Sequence, residues 1–352
     1  MCVVLSIGIL FLISSFAKAE DKMVIHFIDV GQGDAILVEF PCGSMLIDTG
    51  AEVNTEFNGK EALIKYLSHR FESTNKKKII DLLVLTHPHK DHVLAASALI
   101  DNGFIFKNIV DDGLIDSRLK SASGGRQSFF IHQWAADNPD KTKFEKITID
   151  KIAAGKGYTS PILDPITSCE ESNIDPKIIA LWGGSGDVSG EHKNVGNHSI
   201  VLKVVFGNAS ALFTGDIEST GINDMLNLLG NQSSIFQADI YKVADHGSTN
   251  GTTVNLLKAV HPRAAFFMAS PFDRQISWTA FSFGYPRKDA IEKLTGPFGA
   301  SESRNEIEVP VATGPENFET LLISRAVYGT SWDGNIIVVA KPDRTYEIKT
   351  NQ

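Results

Sequence analysis

The sequence predicts a mixed α/β domain, and three observations carry that expectation. Short apolar stretches of strand character recur, at Met23 to Asp29, Ala35 to Phe40, Ser44 to Asp48 and Ile79 to Thr86, each bounded by Gly, Pro or Asp turn residues. Helical spacing is interleaved with them, through Leu63, Ile64 and Leu67 in Glu61 to His69 and again from Val93 onward. Several strands also empty into His and Asp residues. Because those residues are scattered from 87 to 246 and no linker of useful length separates them, one domain has to bring them together.

The N-terminal strands read as a meander. Gly31 and Gly33 permit a tight turn between the first two strands and leave Asp29, Gln32 and Asp34 near the strand ends. Gln32 and Asp34 are read first as turn-closing residues, with substrate contact as the alternative. Pro41-Cys42-Gly43 turns the chain between the second and third strands, and Ile79 to Thr86 is a buried strand. The middle, about residues 112–190, matches no known pattern; Ser121 to Gly125 is its expected loop tip. Beyond it, Ile200 to Phe206 and Ala211 to Thr214 are strands around Gly207-Asn208, Ile240 to Ala244 is another, and Leu321 to Arg325 and Asn335 to Ala340 are expected to complete a sheet around a turn at Thr330 to Gly334.

The stretch Leu82 to His92 carries the chemistry. An apolar strand runs into His87-Pro88-His89-Lys90-Asp91-His92, and Pro88 biases His87 toward extended backbone, so His87 and His89 can face one ion while Asp91 and His92 face a second. Neutral imidazole suits zinc, and carboxylate adds charge compensation. Asp216, at the end of a strand in Thr214-Gly215-Asp216, can bridge two divalent ions, and His246 arrives at the end of Ile240 to Ala244 as a further ligand. Asp91 is also placed to take a proton, which makes it the candidate catalytic residue. His26, His69, His132, His192 and His261 lie outside any ligand spacing. Neither a G-x-S-x-G elbow nor a G-x-x-x-x-G-K-[ST] loop is present, so metal-assisted hydrolysis has no rival enzyme class.

The H-x-H-x-D-H motif after a Leu/Val strand resembles the metallo-β-lactamase superfamily. More narrowly, Ile28 to Ala35, Leu46 to Gly50, Thr214-Gly215-Asp216 and His246-Gly247-Ser248 resemble the hydrolase domain of the ComEC competence proteins and its free-standing relatives. That resemblance implies a four-layer αββα sandwich holding one or two metals, zinc with manganese as the alternative, and a phosphodiester substrate. Asp48 resembles the aspartate that supports the metal loop from behind. Three positions depart from the pattern or leave it open: Asp245 stands where the family shows the first His of His-His-Gly-Ser, Tyr285 where it shows the His of Tyr-Gly-His-Pro, and His198 falls inside an Asn-x-Ser stretch, either as a ligand or as an exposed side chain. An aspartate can still ligate; tyrosine, with a pKa near ~10, is a poor zinc ligand.

Val3 to Phe16 is an apolar run followed by Ala17-Lys18-Ala19, the pattern of a cleaved signal peptide over 1–19, with an uncleaved anchor as the alternative. The expected organisation is a leader over 1–19 and a hydrolase domain over 20–352 with an insertion at about 112–190, secreted or periplasmic and without a membrane span after cleavage. In an oxidising compartment Cys42 and Cys169 can pair, or Cys42 can remain a lone thiol. The formal charge is -9, and an acidic chain argues against polymeric nucleic acid; a small molecule or the phosphodiester that the resemblance implies is the expected substrate. A binding protein that keeps the fold but has lost turnover, and a β-lactamase-type amide hydrolase, are the other readings.

Overall fold

In the computed structural model, residues 21–114, 123–184, 193–230 and 234–351 are described; the expected leader over 1–19 lies outside them. Eight strands form one sheet in the spatial order Tyr346–Thr350, Ile336–Ala340, Met23–Phe27, Ile36–Phe40, Gly43–Ile47, Leu82–Leu85, Asn108–Asp111 and Lys143–Lys146. Six form a second, in the order Val327–Gly329, Ala264–Phe267, Ile240–Lys242, Ala209–Phe213, Val201–Phe206 and Lys177–Trp182.

The alternation of strand side chains separates the layers. Ile36, Val38, Met45, Ile47, Leu82 and Val84 enter the core between the sheets, where they join Phe213, Phe266 and Trp182. Their neighbours Leu37, Leu46, Leu83 and Leu85 point the other way, onto Leu63, Leu67 and Phe71 of the helix Gly59–Ser73. Because both faces of these strands are covered, they are apolar throughout, and each buried Leu or Ile contributes about 1.5–3 kcal/mol. The helix itself starts where the Asn58 side chain accepts from the Glu61 N–H and buries one stripe at i, i+4 and i+8. On the far side, Ile222, Met225 and Leu226 of Ser219–Leu229 and Leu256 and Leu257 of Val254–Val260 pack on the second sheet. Helix, sheet, sheet and helix make the four-layer α/β sandwich.

Several local expectations are corrected. Helix Ser123–Asp137 begins inside the expected loop tip, despite Gly124 and Gly125, and buries Ile131; Ser121 and Ala122 lie outside the described residues. The middle segment gives an edge strand to each sheet, Lys143–Lys146 and Lys177–Trp182. Leu321 to Arg325 joins no large sheet: it belongs to the hairpin Ser303–Gly314/Asn317–Arg325. Ile336–Ala340 does complete a sheet, beside Met23–Phe27, and Thr330–Asp333 before it is a short helix, not an open turn. The helix after the histidine motif starts at Lys90, three residues before the expected Val93. Cys42 and Cys169 are joined as a disulfide, with Cα atoms 5.8 Å apart, which ties the turn after Ile36–Phe40 to the middle segment. No helix among the described residues is long and apolar enough to cross a membrane.

Candidate metal centre

Strand Leu82–Leu85 pairs in parallel with Gly43–Ile47, and the two chain exits lie side by side. Asp48 leaves Gly43–Ile47 with φ +58, a conformation that costs a non-glycine residue energy and turns its carboxylate onto the neighbouring exit. There it accepts from the Thr86 N–H and the Thr86 hydroxyl, each at 2.7 Å, and from His92 Nδ1 at 2.7 Å. The following turn is held equally tightly. A Cβ on Gly50 would lie 1.6 Å from the Asp91 carbonyl oxygen, so only glycine lets these two loops touch.

Two groups of donor atoms converge on Asp216. His87, His89 and Asp216 form one; Asp91, His92, Asp216 and His246 form the other, with each group's atoms within 4.8 Å of one another. His87 Nε2 lies 2.9 Å from His89 Nδ1 and 3.9 Å from Asp216 Oδ2. In the second group His92 Nε2 is 3.0 Å and His246 Nε2 3.4 Å from that same oxygen, and His246 Nε2 is 3.3 Å from Asp91 Oδ2. The ring nitrogens turned away from the cluster are anchored. His92 donates to Asp48, His246 Nδ1 donates to the Met268 carbonyl at 2.7 Å, and His87 Nδ1 lies 3.2 Å from both the Thr86 and Ser199 hydroxyls. Thr86 already donates to Asp48, which leaves its oxygen to accept from His87; Ser199 in turn accepts the Asp216 N–H at 3.0 Å. These bonds fix the inward nitrogens as lone-pair donors.

The electrostatics show the same demand for positive charge. Burial alone would lower His92 and His246, but the carboxylates of Asp216, Asp48 and Asp91 around them raise both well above the usual imidazole range. Burial and the neighbouring His92 push His87 down, and burial likewise lowers His89, which suits neutral ligands. Burial would raise the Asp91 and Asp216 carboxyls, yet the surrounding histidines hold both low. Buried Asp216 Oδ1 also lacks a hydrogen-bond partner within the protein, on the residue where the two donor groups meet. The residues present therefore fit divalent cations, which would take the place of the protons on His92 and His246.

Beneath the cluster lies Lys242, 1% exposed. Its ammonium pairs with Asp34, donates to the Gly215 carbonyl at 2.9 Å and stands 3.8 Å from Asp216 Oδ1. Burial would lower its pKa, but Asp34 and Asp216 raise it.

A cavity of about 760 Å³ opens over the centre; Asp91, Asp216 and His246 lie at its floor, with Glu218, Trp278 and Tyr285 among its walls. Residues 28–270 match the metallo-beta-lactamase superfamily. The chain belongs to that superfamily. It is 24% identical over 288 residues to ComE operon protein 3 of Bacillus subtilis (strain 168), covering 76% of this chain and 31% of the relative. To the uncharacterized protein YcaI of Escherichia coli (strain K12) it is 34% identical over 257 residues, covering 72% of this chain and 26% of the relative. The chain thus spans less than a third of either relative. Among solved structures, the metallo-beta-lactamase fold protein YhfI of Bacillus subtilis is 13% identical at a TM-score of 0.37, covering 70% of this chain and 85% of that one.

Of the residues singled out in the sequence, the superfamily site brings together His87, His89, Asp91, His92, Asp216 and His246. It does not bring in His198, which is fully buried in the short turn Val195–His198 and is neither exposed nor in a donor group among the described residues. Asp245 is likewise outside both groups. It and His246 both have positive φ, 48° and 51°, and this reversal sends the Asp245 carboxylate toward Ser248 and the wall of the cavity. Burial and nearby Asp216 push its carboxyl up to about 7. Tyr285 stands half-buried on the same wall, its ring centroid 6.0 Å from that of His246. Sequence reasoning missed Lys242, Thr86 and Ser199. A single Lys inside the apolar run Ile240 to Ala244 was the available signal for the first.

Proposed function

We propose that the chain is an extracytoplasmic metal-dependent hydrolase of small phosphodiesters. The observation that carries the reading is the pair of donor groups sharing Asp216, one with two imidazoles and one carboxylate and the other with two of each. The His87, His89, Asp216 group suits zinc, and the group with Asp91 suits zinc or the harder manganese ion. Such ions, when bound, lower the pKa of a coordinated water toward ~7 and polarise a phosphoryl oxygen.

The chain's own residues do the rest. Asp48 and the Met268 carbonyl hold His92 and His246 in one tautomer and one orientation. Asp91, whose side chain is 32% exposed and lines the cavity, is the carboxylate that reaches both donor cluster and solvent, and it is the proposed proton acceptor. The resemblance to ComEC hydrolase domains supports the phosphodiester. The formal charge of -9 disfavours a polyanion, which is why a small diester is proposed over polymeric nucleic acid. The disulfide supports an oxidising compartment. A binding protein without turnover is the second reading, motivated by Asp245 and Tyr285 in place of the family's histidines; the two donor groups assemble without either residue, which favours the hydrolase.

The test is hydrolysis of bis(4-nitrophenyl) phosphate against a cephalosporin by zinc- and manganese-loaded protein. Diester turnover exceeding lactam turnover, and lost at least about a hundredfold in Asp216→Asn, is expected, since the amide keeps the shape but removes the shared charge. Ready cleavage of the cephalosporin with none of the diester contradicts the assignment.

A further inference from the structure

The Gln32 side chain is 3% exposed, and neither its Nε2 nor its Oε1 has a hydrogen-bond partner within the protein. A buried carboxamide with both ends unmet costs folding free energy, and native proteins retain few of them without a reason. The turn that carries it supplies none. Its neighbours close that turn without help from the carboxamide: Asp29 accepts the Gly31 N–H at 3.0 Å, Glu52 accepts the Gln32 N–H at 2.8 Å, and Arg274 pins Glu52 from the other side at 2.9 Å. The Asp34 N–H then bonds the Asp91 carbonyl at 2.9 Å, and a Cβ on Gly33 would lie 2.6 Å from that same oxygen. The turn is thus fastened directly to the Asp91 loop, and Gln32 lines the cavity alongside Asp91 and His246.

We infer that Gln32 is a substrate-binding group whose carboxamide meets a ligand offering both an acceptor and a donor: a phosphoryl oxygen for Nε2 and a hydroxyl next to the phosphorus for Oε1. The inference rests on the proposed phosphodiester reading and narrows it toward diesters with a hydroxyl close to the phosphate. The backbone anchors hold the residue in place without its side chain, so binding and folding can be separated by substitution. Gln32→Met keeps the length and removes both polar ends.

Two measurements test the assignment. The first is independent of metal: the thermal midpoint of the chelator-treated Gln32→Met protein equals or exceeds that of the wild type, because two unmet polar atoms are gone. The second is calorimetric titration of the zinc-loaded proteins with inorganic phosphate, which at neutral pH carries both acceptor oxygens and a hydroxyl, and with dimethyl phosphate, which has acceptors only. Gln32→Met weakens phosphate binding by about 10- to 100-fold and dimethyl phosphate binding by about tenfold at most, with zinc content unchanged. Equal phosphate affinity in both proteins overturns the role of Gln32 and leaves the hydrolase reading standing. A fall of more than about 5 °C in the chelator-treated variant, several times the shift expected from one surface-like change, also overturns it by showing a structural role. A zinc-loaded wild type that neither binds phosphate nor cleaves the diester overturns the hydrolase reading, and this inference with it.

Discussion

Lys242→Met separates the charge balance of the centre from its metal chemistry. The lysine is buried under the donor groups and pairs with Asp34, a carboxylate that is itself 1% exposed. Removing one partner of a buried pair leaves the other uncompensated, at a cost of about 3–5 kcal/mol. At about 2.1 cal/mol/K per residue, a chain of 352 residues has an unfolding entropy near 0.7 kcal/mol/K, so the chelator-treated variant melts about 4–7 °C below the wild type. The double variant Lys242→Met/Asp34→Asn removes the stranded charge and recovers at least half of that loss. Lys242 also stands 3.8 Å from Asp216, to which bound divalent cations would supply positive charge, so the metal-loaded single variant loses less than the metal-free one. Differential scanning calorimetry of the three proteins, with and without zinc, reads all of this. A single variant within about 1 °C of wild type, or a double variant no more stable than the single, refutes the view that Lys242 compensates Asp34.

Other perturbations follow from the same contacts. Asp48→Asn keeps the fold but weakens the hold on His92, and zinc affinity of the loaded centre drops about 10- to 100-fold by competition with a chromogenic chelator. Glu39 gives a pH signature away from the centre. Burial would raise its carboxyl, but the hydrogen bond and charge of His26, with Arg70 at 2.6 Å, lower it to about 2. A depressed carboxylate stabilises the fold above its unfolded value of 4.5, and that contribution is lost as pH falls from 4.5 toward 2. Urea midpoints taken from pH 6 to pH 3 therefore fall more steeply for wild type than for Glu39→Gln, by about 2 kcal/mol over that window out of about 3 kcal/mol in full.

How much was legible in the sequence depended on whether the cause was local. Alternation along Ile36–Phe40 and Leu82–Leu85 is a property of a few consecutive residues, so the strands and their two buried faces could be read directly. His87, His89, Asp91 and His92 lie within six positions on one chain exit, and their convergence follows from that exit's geometry. Asp216 and His246 were reachable because each ends an apolar strand. Asp245 could not be placed, since its direction is set by two successive left-handed residues that no sequence pattern announces. Lys242 was hidden for a different reason: its partner Asp34 lies 208 positions away, and a lysine in an apolar strand has no local cause. Helix Ser123–Asp137 overrides the propensity of Gly124 and Gly125 through tertiary packing of Ile131.

The most direct test of the account is the metal content of the folded protein. After reconstitution with zinc and exhaustive dialysis, elemental analysis of the wild type should find about two equivalents, and His87→Ala/His89→Ala should retain at most about one, since both imidazoles of the first donor group are lost while the group of Asp91, His92, Asp216 and His246 remains. A folded wild type holding less than about a tenth of an equivalent would contradict the metal centre itself.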